Sequence, residues 1–142
     1  MKTAICAMAG VLAFASAAAA QPTADDHRLD DAWKAAIEEQ EGVLTPQQFA
    51  TVNGLAYQAA VSRLCAGFEI DNVKYAKAVN AIVNSGGDKL SDELKLERQT
   101  GILIAIGTSY GLFLAEGAAR KDAFCASATE TRNDKETPHL WE

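Results

Sequence analysis

The chain has 142 residues, with 13 Lys and Arg against 19 Asp and Glu and a formal net charge of −6. That is one domain's worth of protein, long enough to bury a core without help from a metal. The acidic balance argues against nucleic acid and anionic membrane surfaces as partners, because both are bound through basic patches.

The first element is a leader. Lys2 supplies a positive start, residues 5–14 form a short apolar stretch, and residues 16–20 are small. Ala18-Ala19-Ala20 fits the small-x-small cleavage pattern, and Gln21-Pro22-Thr23 turns polar at once. This is the three-part plan of a secretory signal peptide, and the apolar stretch is too short to span a membrane. Residues 1–20 are therefore expected to be removed, and no stable membrane insertion is expected afterwards. Cleavage takes away one lysine and no acid, which leaves 122 residues with a formal charge of −7.

Two cysteines remain after cleavage, Cys65 and Cys125. In an oxidising compartment such a pair reads as one disulfide. The chain is thus expected in the periplasm or outside the cell.

The mature chain carries four segments with helical periodicity and none that alternates like a strand. The first is expected over 25–41, where Leu29, Trp33, Ala36 and Ile37 make one apolar stripe and Gly42 is a natural stop. Thr45-Pro46-Gln47-Gln48 then gives an N-cap Thr, a Pro at the first helical position and a Gln three residues after the cap. The second helix should run from there to about residue 66. Asp71 is the next N-cap, followed by Tyr75, Val79, Ile82 and Val83 at helical spacing and a stop at Asn84-Ser85-Gly86-Gly87. A last helix is expected over 91–128. Residues 99–115 within it carry no charge, and a helix that is apolar all round should be buried all round. The predicted fold is therefore an all-α bundle of about four helices over 21–128, with the last helix at its centre and a flexible polar tail over 129–142.

Within the last helix Gly107, Gly111, Ala115 and Ala119 lie four apart and form a small-residue ridge that lets another backbone come close. Packing against a neighbouring helix of the bundle is the first expectation, and a homodimer interface is the alternative. Glu116 and Arg120 read either as a surface i, i+4 pair or as the mouth of a pocket. Trp141, in a polar tail, either folds back or contacts a partner.

Catalysis finds little support. His27 and His139 are the only imidazoles, the first in an acidic helix start and the second in the tail. No nucleophile elbow, haem-attachment motif, phosphate loop or calcium loop is present, so no catalytic residue, cofactor or metal is assigned. In size and layout, though not in any shared motif, the chain is similar to small periplasmic acid-stress chaperones, which are exported, helical and hold one long-range disulfide. The expectation is an exported, non-enzymatic protein that binds other proteins and is chaperone-like. An inhibitor or immunity protein acting on one partner is the alternative, and an uncharacterised enzyme the more distant one.

Overall fold

Thr45 starts the helix that organises the fold. Its backbone N–H donates to Gln48 Oε1 (3.0 Å), and its Oγ1 accepts from the Gln48 N–H (3.3 Å), the reciprocal capping box expected from the motif. In the computed structural model, which describes residues 24–142, this helix is the second of five: α1 (Ala24–Gln40), α2 (Pro46–Leu64), α3 (Asn72–Val83), α4 (Asp92–Ala119) and α5 (Lys121–Asn133). The leader lies outside the described residues. No strand is present among the described residues.

The uncharged α4 touches all four other helices, as a central helix should, but it is not buried all round, and the more deeply buried helix is α2. Val52, Leu55, Ala56, Ala60 and Val61 of α2 are all buried, and α3, α4 and α5 each pack on it. Two apolar clusters share it. Near its start, Val52 and Leu55 meet Ile82 of α3 and Ile102 and Ala105 of α4. Near its end, Ala60, Val61 and Cys65 meet Phe68, Phe124, Ala128 and Trp141. On α1, Ala36 is buried and Trp33 sets its ring edge-on to Phe113 at 4.8 Å, while Ile37 of the predicted stripe is exposed.

Capping sets the other boundaries. Asp71 accepts from the Val73 and Lys74 N–H groups to start α3, and Ser91 accepts from the Leu94 N–H to start α4. Arg98 fastens two loops to α4 by donating to Ser85 O (3.1 Å) and Val43 O (3.0 Å).

The single last helix predicted over 91–128 is two helices. The chain leaves helical geometry at Arg120 (φ −134°, ψ 49°), and α5 turns back over α2. Gly117 makes the turn possible. A Cβ there would lie 2.5 Å from Leu64 Cδ1 and 2.9 Å from Phe124 Cδ1, so only glycine lets α2 and α5 come this close. The disulfide joins Cys65, just past α2, to Cys125 on α5 with a Cα–Cα separation of 5.5 Å.

The carboxyl-terminal segment is docked, contrary to the expected flexible tail. Helix α5 continues to Asn133, and the chain then returns to lie beside the segment before α3. Asp71 N–H donates to Leu140 O (2.8 Å) and Glu142 N–H to Glu69 O (2.9 Å), which makes an antiparallel bridge between Ile70 and Trp141. The Trp141 side chain is 3% exposed, and its indole N–H donates to Gln58 O (3.0 Å). Burial of a large aromatic whose one polar atom is satisfied is what holds this end down.

Candidate interaction face

Helix α4 is 28 residues, or about 42 Å, long. The other four helices run from 12 to 19 residues and cover only one side of it. Ile102, Ala105, Ser109 and Gly117 are its buried residues. The opposite side holds Leu96, Thr100, Leu103, Ile104, Gly107, Gly111, Ala115 and Ala118, all exposed. Their spacings of three and four place them on one face of the helix. Leu96 is 65%, Leu103 52% and Ile104 61% exposed. Exposed aliphatic side chains clustered on one face mark an interaction site more often than isolated ones do.

Charge flanks the stretch of this face from Thr100 to Ala118 without entering it. Glu93 and Glu97 stand at its amino-terminal end, and Lys121 at the corner after its carboxyl-terminal end; all three are exposed and make no ion pair among the described residues. Lys95 lies on another side of the helix, 3.4 Å from Asp92.

The small-residue ridge is on this open side. Gly107, Gly111, Ala115 and Ala119 are all exposed, and a Cβ added at either glycine would meet nothing within 4 Å. The expected packing of the ridge within one chain is therefore not what the fold does. The reason is the number and length of the partner helices: α1, α2, α3 and α5 all pack on the inner side of α4, and among the described residues none is left to cover this side. By contrast Gly101 does serve close packing, because a Cβ there would stand 3.3 Å from Val43 Cγ1.

The remaining candidates separate. Glu116 and Arg120 form an i, i+4 ion pair at 3.6 Å, with Arg120 largely exposed, and they line none of the cavities described. The pair is the i, i+4 arrangement that the spacing allows. Trp141 is spent on the core and is not available to a partner. His27 is exposed, whereas His139 stacks on Trp141 at 5.5 Å. Among the described residues no three His, Cys, Asp or Glu side chains converge as metal ligands would.

Sequence reasoning misses Leu96, Leu103 and Ile104 as surface residues. An uncharged run looks the same whether it is buried on every side or on one. The available signal is length, since three shorter amphipathic helices cannot encircle the expected central one. Helix α4 is long and apolar enough to cross a membrane by length and composition, as the core helix of a soluble protein also can be, and 22% of its most apolar window is buried. Beside the face lies a cleft of about 350 Å³ between Val43, Leu94 and Gly101, rimmed by Glu97 and Arg98. Comparison with protein-family models, with characterised proteins and with solved structures finds no match to this chain.

Proposed function

We propose that the mature chain is an exported, non-enzymatic binding protein that holds apolar segments of other proteins on the outer face of α4, in the manner of an envelope chaperone. The single observation behind this reading is that face: three large aliphatic side chains open to solvent, two of them on a stretch of the helix with no charge, flanked by acidic and basic residues. An extended or helical client segment would bury its own apolar side chains there. The disulfide is compatible with an oxidising compartment, in keeping with the leader's signal-peptide plan.

Acid favours the same activity. Near pH 3 most of the 19 carboxylates are protonated while Lys, Arg and His are charged, so the mature charge swings from −7 to about +14. Self-repulsion then loosens the helix packing, and the Cys65–Cys125 bond keeps α5 tied to the end of α2. The test is light scattering from an acid-sensitive client brought to about pH 3, where its own carboxylates are largely neutral. The wild-type chain at stoichiometric ratio should suppress aggregation. The double variant Leu103→Lys, Ile104→Lys, which stays charged at that pH, should not. Equal scattering with and without the wild-type protein rejects the chaperone reading. Capture of one stoichiometric partner from envelope extract at neutral pH would replace it with an inhibitor acting on that partner.

A further inference from the structure

The outer face of α4 is complementary to itself, and we infer that it pairs with the same face of a second copy, antiparallel, about a two-fold axis that passes beside residue 109. The pattern is in the residue positions. Gly107 and Gly111, Leu103 and Ala115, and Thr100 and Ala118 are each placed symmetrically about residue 109 on α4, Glu97 lies near the amino-terminal end and Lys121 just past the break at Arg120, and all eight are exposed. Reversing one helix against another therefore lays Leu103 on Ala115 and Thr100 on Ala118, while Ile104 comes opposite the half-buried Leu114. Leu103 of each copy meets Ala115 of the other, and the two glycines cross where the backbones come closest, with nothing of the chain's own within 4 Å of either position.

Charge selects the direction. In the antiparallel pair Glu97 of each copy faces Lys121 of the other, twice by symmetry. Asp122 stands beside Lys121 at this corner, and Glu93 lies one turn before Glu97. Arg120 is paired with Glu116 there, so Lys121 is the cation that a partner's Glu97 would meet. A parallel pair would set Glu97 against Glu97, Lys121 against Lys121 and Leu103 against Leu103. Opposite charges at mirrored ends of an uncharged face thus favour a second copy, reversed, over a membrane surface. Acidic residues at the amino-terminal end of the face would also oppose an anionic bilayer.

The contact runs along one helix only, from Leu96 to Ala118, which is less than a standard interface of about 800 Å² per partner. The dimer is accordingly weak and dissociates on dilution. This inference goes beyond client binding and stands without it, since a face can pair with itself whether or not it also receives clients.

Sedimentation equilibrium of the mature, disulfide-bonded protein from micromolar to millimolar concentration tests it. The wild-type chain should show a reversible monomer–dimer equilibrium. Gly107→Leu, Gly111→Leu should be monomeric throughout, with its thermal melt retained because both positions are open in the monomer. Glu97→Lys alone and Lys121→Glu alone should each weaken association at least about tenfold, and the two together should restore it. Leu103→Cys, Ala115→Cys should cross-link between chains on mild oxidation, whereas Leu103→Cys alone should not. A wild-type chain that stays monomeric at millimolar concentration overturns the inference, as does a monomer that floats with phosphatidylglycerol vesicles. Pairing that survives the two leucines places the interface elsewhere, and ready cross-linking by Leu103→Cys alone makes it parallel. Client protection measured in the same variants is read separately, so either idea can fail without the other.

Discussion

On α4, Ile102 and Leu103 are neighbours in the chain and similar in size and hydropathy, yet Ile102 is fully buried and Leu103 is 52% exposed. The same contrast holds along the helix. Ala105 and Ser109 lie inside, whereas Gly107 and Gly111, two residues on from each, lie outside. A one-residue step rotates the side chain by about 100° and is enough to cross from core to solvent. Composition therefore tells that a helix can be buried, and only the supply of neighbouring helices tells which side is. The inner side is the fold's concern and the outer side is free for binding.

The largest expected effect breaks the inner side alone. Ile102→Ala removes a side chain from the cluster with Val52, Leu55 and Ile82 and should cost about 3 kcal/mol of stability. Leu103→Ala, at concentrations where the chain is monomeric, should cost less than about 0.5 kcal/mol. Chemical denaturation of the two variants side by side measures the difference, and equal losses would mean that α4 is covered on both sides after all.

Much of the fold is legible in the amino-acid sequence alone. Thr45-Pro46-Gln47-Gln48 marks the start of α2, Asp71 that of α3 and Ser91 that of α4, because a cap is a local arrangement of hydrogen bonds. The Cys65–Cys125 pairing follows from there being two cysteines left to pair. What is not legible depends on contacts between distant residues. Beside the break at Arg120, Leu64 and Phe124 close over Gly117, and neither signals a kink in its own neighbourhood. The docking of Trp141 depends on Gln58, Phe68 and Ile70, far back in the chain, so its polar surroundings in sequence suggest a loose tail. The outer face of α4 is the same kind of case, since what decides it is that no neighbouring helix covers it.

Glycines sharpen the comparison at a smaller scale. Gly117→Ala pushes a methyl group against Leu64 and the Phe124 ring and should destabilise by about 2 kcal/mol through overpacking. Gly111→Ala meets nothing and should stabilise the monomer by about 1 kcal/mol, the usual gain from replacing a mid-helix glycine. A bulky residue at Gly111 does not force helices apart within one chain, so any harm it does belongs to association and not to folding. Melting temperatures that move in the same direction for both variants would erase the distinction between a packed and an open glycine.

The smallest effect concerns what pins the covered side. Asp71 caps α3, and its backbone N–H holds the carboxyl-terminal segment through Leu140 O. The Lys74 N–H and the Lys74 ammonium at 2.9 Å hold the Asp71 carboxyl below its ordinary value, and the same partnership raises Lys74. A carboxyl depressed in the folded state contributes stability that is present above its unfolded value, near 4, and is lost as pH falls through the folded value. A raised lysine contributes stability that is present below its unfolded value, near 10.5, and is lost as pH rises through the folded value. The pair therefore acts in full across neutral pH and fades at both extremes. Asp71→Asn keeps an acceptor for the cap and removes the charge, so its melting temperature should fall less than that of the wild type between about pH 6 and pH 3. Parallel acid limbs for wild type and Asp71→Asn would show that this capping pair does not contribute to acid sensitivity, which would then rest on the general rise in positive charge.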